Sequence, residues 1–166
     1  MKGISIEIDK LTNYIEHTVT GESFDTEISS VKSSEIKSDD WLFDWAKEIN
    51  NKTRKVFKLT IKDDVDTIQG LVSFEARQGH LFLHLVESAK FNKGKEKLFL
   101  GVAGNLFAYT CKCSFELNFD GFISFISKTV LKEHYAKSLG AKVLYGDTMV
   151  IETPEAKKLV QQYFNK

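Results

Sequence analysis

At 166 residues the chain is long enough to bury a sizeable core within one domain. Lys plus Arg and Asp plus Glu both number 23, so the net charge is zero, which excludes a nucleic-acid-binding surface spread over the whole molecule but not a local basic patch. A single proline and 28% charged residues argue against disorder, and the 13 phenylalanines point to a dense aromatic core or an apolar pocket.

The opening MKGISIEIDK has no apolar run behind its lysine and does not read as a signal peptide. No apolar run approaches the length of a membrane span. Cys111 and Cys113 stand two apart inside a predicted helix, where they point to different faces and do not bridge each other. With no further cysteine, a cytoplasmic protein with reduced thiols is expected.

Residues 3–8 alternate weakly and read as a first strand. Residues 11–31 are polar and Ser/Thr-rich, with a second strand over 24–28. Ser38-Asp39-Asp40 reads as a helix start, its acidic residues suited to the N-terminal dipole. That helix would carry Trp41, Leu42, Trp45 and Ile49 on one apolar face, in the core or lining a ligand pocket.

Residues 56–61, 67–76 and 80–87 then read as three strands of an antiparallel meander. Alternation places Leu81, Leu83, Leu85 and Glu87 on one face of the third strand and Phe82, His84 and Val86 on the other. Both faces are largely apolar, so this strand is expected to be central and covered on both sides.

Residues 88–97 form a basic loop carrying Lys90, Lys93, Lys95 and Lys97, either solvated or drawing a phosphate-bearing ligand toward the nearby helix start. That helix opens with the small-residue turn Gly101-Val102-Ala103-Gly104-Asn105, continues as an apolar segment and ends near residue 118. A strand, a small-residue turn and a helix leave backbone N–H groups free at the helix start, where the dipole favours an anion. Capping alone also accounts for Gly and Asn there.

A fourth strand over 122–127 comes after a helical crossover and is expected to lie parallel to the third. Thr129 reads as the cap of a helix over 130–139 that Gly140 stops. A hairpin over 141–145 and 148–153 and a final helix opened by Pro154 complete the chain. In that last helix, Tyr163 and Phe164 suit either a homodimer contact or packing on the chain's own sheet.

Over roughly residues 38–153 this order resembles the GNAT-type N-acetyltransferases. Gly101-Val102-Ala103-Gly104-Asn105-Leu106 is similar to the second half of the family's acyl-CoA motif, Q/R-x-x-G-x-G/A, with Gly101 and Ala103 at the two small positions and Leu98 where the motif has Gln or Arg. Residues 129–141, TVLKEHYAKSLGA, are similar to the family's N-x-x-A-x-x-x-Y-x-x-x-G-F segment. Thr129 stands at the Asn position, and Tyr135 is one residue before the tyrosine, a rotation of about 100° on a helix.

The resemblance implies an α/β fold with a mixed sheet: an antiparallel meander, a β-α-β crossover and a C-terminal hairpin, in a single GNAT-like domain over 1–166. It implies acetyl-CoA as co-substrate, no metal, and a small-molecule or protein amine as acceptor; charge balance and the lack of a long apolar run lead to the expectation of no nucleic acid or membrane partner. The pyrophosphate would sit on the amides of Gly101, Val102, Ala103, Gly104 and Asn105. The backbone near Val86 would receive the pantetheine arm, and Thr129 would stand beside the cofactor. Glu87 is then the first candidate base, Glu75 the second and Tyr135 the candidate acid. Ordinary structural duties for these side chains are the alternative. A non-catalytic GNAT-like binding or regulatory domain is the competing reading, and an interaction module pairing through the last helix a third.

Overall fold

The computed structural model describes residues 3–164. In chain order the strands are β1 (Ile15–His17), β2 (Ser23–Phe24), β3 (Thr26–Ser30), β4 (Lys55–Ile61), β5 (Gly70–Arg77), β6 (His80–Ser88), β7 (Phe99–Leu100), β8 (Ile123–Ile126), β9 (Lys142–Tyr145) and β10 (Thr148–Ile151). The helices are α1 (Trp45–Asn50), α2 (Val102–Glu116), α3 (Lys132–Leu139) and α4 (Thr153–Phe164). None of them is long and apolar enough to cross a membrane.

The alternating stretches pair as a seven-stranded, mixed α/β sheet in the order β3-β4-β5-β6-β8-β10-β9. The meander is antiparallel from β3 to β6, so it has one strand more than the three read from the sequence. β6 and β8 run parallel, as a helical crossover between them requires. β8, β10 and β9 close the sheet antiparallel. A second, small sheet, β2-β1-β7, lies against the start of α2.

The main core lies on one face, where Leu59, Val72, Phe74, Leu81, Leu83 and Val86 pack with Leu106 and Phe107 of α2 and with Leu159 and Tyr163 of α4. The other face is covered near α1, where Trp45 packs with Val31, Val56, Leu71 and Leu85. Each such fully buried apolar side chain contributes about 1.5–3 kcal/mol relative to exposure. Tyr163 is 2% exposed, so its ring belongs to this chain's own core and not to a dimer contact.

The faces of β6 depart from simple alternation. Ser73 pairs with Leu85 while its neighbour Phe74 pairs with Leu83, which leaves His84 as an extra residue. Such a bulge reverses side-chain parity along a strand. Leu81 and Leu83 therefore share the α2 face with Val86, whereas Leu85 and Glu87 look toward α1.

Several boundaries also move. The helix expected from residue 38 is a single 3-10 turn at Ser38–Asp40, and α1 begins only at Trp45, where the Asp44 side chain accepts from Lys47 N at 3.1 Å. The helix breaks because the N–H groups of Leu42 and Phe43 go to the Glu87 carboxylate. Thr129 opens a 3-10 turn, its hydroxyl donating to Asp147 Oδ1 at 3.2 Å, so α3 starts at Lys132. Gly140, at φ 70°, ends α3 as a left-handed cap. Residues 3–8 form no strand, and among the described residues they join the sheet through the single bridge of Ile4 to Ser127.

Candidate active site

β6 and β8 are paired over three residues only, Leu81 with Ile123, Phe82 with Ser124 and Leu83 with Phe125. The pairing stops where the His84 bulge begins, and β6 continues to Ser88 without β8 beside it. The N-terminal segment enters the resulting gap. Ile4 lies parallel to Ser127 on the β8 side and accepts from Lys128 N at 3.1 Å. Ile6 O accepts from the Tyr135 hydroxyl, and Ile8 N donates to His134 Nε2 at 2.8 Å. Between this segment and β6 remains a cavity of about 320 Å³, bordered by Ile6, Asp9, Val86, Glu87, Lys97 and Ala103.

The cavity runs to the start of α2. Gly101 adopts φ 99°, a left-handed conformation open to glycine, and a Cβ there would lie 2.8 Å from Tyr14 O. The Gly101 N–H donates to Asp9 Oδ1 at 3.0 Å, and Lys97 Nζ pairs with Asp9 Oδ2 at 3.1 Å. The Asn105 amide donates to Gly101 O at 2.8 Å, Tyr14 O at 3.2 Å and Thr12 O at 3.3 Å, fastening residues 12–14 over the turn. Residues 101–105, which the sequence assigns to a phosphate, are all buried, and the anion at this helix start is the Asp9 carboxylate.

The candidate catalytic side chains are not gathered in one place. Glu87 borders the cavity but is 3% exposed. Its carboxylate accepts from Leu42 N at 2.7 Å, Phe43 N at 3.1 Å, Trp45 Nε1 at 2.8 Å and Lys93 Nζ at 2.8 Å. Burial pushes its pKa up, but Lys93, the two backbone N–H groups and the indole outweigh that and hold it below the usual carboxylate range. Tyr135 reaches the gap from α3, its ring buried against Phe107 and Phe125. Burial, with Glu7 adding to it, raises its pKa, so the phenol stays protonated. Glu75 is engaged by Arg54 and by Arg77 Nε, the latter at 3.1 Å, and does not border the cavity. Val86 does border it, whereas Thr129 is turned to Asp147.

Three of the four lysines of the basic loop are paired with carboxylates elsewhere in the chain: Lys90 with Asp40 at 3.0 Å, Lys93 with Glu87 and Lys97 with Asp9. Sequence reasoning also missed a half-buried polar cluster on the α1 face. Glu48 Oε1 accepts from Ser73 Oγ at 2.6 Å and Arg54 Nη1 at 2.9 Å, and lies 2.8 Å from Nδ1 of the bulged His84. Burial raises the Glu48 pKa, and the bonds from Ser73 and His84 together with Arg54 more than reverse this. Neither Asp9 nor Glu48 carries a sequence signal, because their partners are distant in the chain.

No family model matches the chain, and no curated protein sequence matches it. Solved structures do. A mutant form of the AtaT toxin, bound to the C-terminus of the antitoxin AtaR and to acetyl-CoA, superposes with a TM-score of 0.53 at 14% identity, covering 82% of this chain and 99% of that one. Mutant forms of the spermidine/spermine N-acetyltransferase SpeG from Vibrio cholerae give a TM-score of 0.56 at 15% identity over 80% of this chain and 96% of that one. The KacTA–DNA complex gives 0.52 at 10% identity, over 81% and 97%. The chain thus has the fold of the GNAT-type N-acetyltransferases, at 15% sequence identity or less to these three structures.

Proposed function

We propose that this protein is an acyl-CoA-dependent N-acyltransferase that passes an acetyl group to an amine by direct attack. The observation that carries this reading is the parting of β6 and β8 at the His84 bulge, with a cavity along Val86 and Ser88 that ends at the start of α2. The open edge of β6 offers backbone partners to the amides of a pantetheine arm, and Lys97 stands where phosphate charge would arrive. The likeness to SpeG and to the acetyl-CoA-bound AtaT toxin supports the same reading.

In the transfer the neutral amine attacks the thioester carbonyl, the C–S bond breaks, and the amine proton must leave while the thiolate gains one. Glu87 borders the cavity and takes the amine proton through water. Its low proton affinity makes it a modest base that depends on positioning. The Tyr135 phenol reaches the gap between the strands and supplies the proton to the thiolate. Glu75, tied to Arg54 and Arg77, has no part in this scheme. A polyamine and a protein amine are the acceptor classes to test.

A non-catalytic GNAT-like domain is the second reading, and the specific observation favouring it is the Asp9 carboxylate on Gly101 N. Calorimetry with acetyl-CoA, followed by thiol release with a panel of amines, separates the two. Lys97→Glu is the control of choice, since the half-exposed Lys97 can change without disturbing the core, whereas any side chain at Gly101 meets Tyr14 O. Binding that Lys97→Glu weakens, with amine-dependent thiol release, supports the enzyme. Binding without transfer to any amine supports the second reading.

A further inference from the structure

We propose that residues 4–9 are an intramolecular competitor for acyl-CoA, with the Asp9 carboxylate holding the place of a phosphate on the Gly101 amide. This rests on the acyltransferase reading above and adds how that site is regulated. The segment lies in the gap between β6 and β8 as an added strand would, parallel to the end of β8. It ends with an anion on the helix start and a lysine on that anion, the two partners that a phosphate would need. One N–H cannot serve the Asp9 carboxylate and a phosphate at once, and two such anions side by side repel. The closed arrangement and the phosphate-bound arrangement exclude each other.

The segment is also held lightly enough to exchange. It is held by one bridge to the sheet, by the α3 side chains of Tyr135 and His134 on Ile6 O and Ile8 N, by Gly101 N and Lys97 on the Asp9 carboxylate, and by the buried Ile4 and Ile8. Ser5, Glu7 and Asp9 are exposed positions along the cavity. A segment with few ladder bonds and few buried residues opens at low cost compared with the whole fold. While it is closed, the apparent affinity for acyl-CoA is reduced by the fraction of molecules that are open. The Tyr135 hydroxyl is occupied by Ile6 O in the closed state and is released when the segment leaves.

The test measures acetyl-CoA affinity by calorimetry for the native chain, Asp9→Asn and Asp9→Ala, together with amide hydrogen exchange at Ile4, Ile8 and Lys128. Asp9→Asn keeps the shape and removes the charge, which guards against a folding defect in Asp9→Ala. The expected result is about tenfold tighter binding in Asp9→Ala, an intermediate gain in Asp9→Asn, and faster exchange at the three amides when acetyl-CoA saturates the native chain. Binding by a variant when the native chain binds nothing supports the proposal equally. Equal affinity in all three proteins, or tighter binding with the three amides still protected, overturns displacement and makes the segment a fixed wall of a working site. No binding by any of the three overturns the proposal together with the enzyme reading beneath it.

Discussion

The Trp45 indole N–H donates to Glu87 Oε1 at 2.8 Å, joining residues 42 positions apart and fastening the start of α1 to the end of the central strand. The same carboxylate takes the backbone N–H groups of Leu42 and Phe43. Glu87 is therefore an anchor for residues 42–45 before it is anything else. Glu87→Gln replaces one acceptor oxygen with an amide that faces donors, and removes the charge opposite Lys93. Hydrogen bonds to a charged group contribute about 1.5–3 kcal/mol, so a loss of roughly 2–3 kcal/mol in urea denaturation is expected. The pKa of Glu87 is depressed on folding from an ordinary 4.5. Its contribution is then complete above that value and is lost as pH falls through the lower folded value. The native chain should show this loss on acidification, and Glu87→Gln should lack that part of it.

Glu48 carries a comparable load on the same face of the sheet. Its side chain is 10% exposed and meets Arg54, whose side chain is 15% exposed. Glu48→Gln leaves Arg54 to Glu75 alone and weakens the hold on Ser73 and His84. Breaking such a half-buried network is expected to cost about 2–4 kcal/mol. The double mutant of Glu48 and Arg54 should cost less than the sum of the single changes, since each single change strands the other charge. Additive losses in denaturant would mean that the two side chains do not act as a pair.

The sequence made the meander, the crossover and the hairpin legible because local alternation and turn residues set them. Gly140 stops α3 for reasons confined to the helix itself. What escaped was set by distant partners. The bulge at His84 arises from pairing with Ser73 and Phe74, and it turns Leu85 away from Leu83 despite the unbroken apolar pattern HLFLHLVE. The start of α1 depends on Glu87, far along the chain. The likeness of residues 101–106 to a phosphate-binding turn was readable, but its closure by Asp9, 92 residues earlier, was not. Local grammar thus outlined the strands and the helix that border the cavity and gave no hint of the segment that lies between β6 and β8.

Gly101 is a backbone requirement whatever ligand it serves. Its φ of 99° is strained for any L side chain, and a Cβ would sit 2.8 Å from Tyr14 O, a backbone atom that Asn105 holds in place. Gly101→Ala is expected to cost at least about 2 kcal/mol, from the left-handed conformation and the displaced segment together. Gly79, also at positive φ but with nothing near its would-be Cβ, should lose only the conformational part, about 1 kcal/mol. Denaturation midpoints of the two alanine variants give the comparison. Equal losses would mean that Tyr14 moves aside freely.

Tyr135 separates the structural and chemical duties of the gap. Its hydroxyl donates to Ile6 O in the closed chain, and its ring is buried against Phe107 and Phe125. Tyr135→Phe keeps the ring and its packing, so it should lose only one hydrogen bond, about 1 kcal/mol in urea. That loss falls on the closed state and leaves acetyl-CoA affinity equal or somewhat tighter. Turnover should move the other way. If the phenol protonates the departing thiolate, its removal lowers kcat by about 10²-fold or more, within the range for a positioned acid. The burial-raised pKa means that no ionisation of the phenol limits the rate near neutral pH. Unchanged kcat in Tyr135→Phe, with binding intact, would assign the hydroxyl to holding Ile6 alone, and the proton for the thiolate would then have to come from solvent in the cavity.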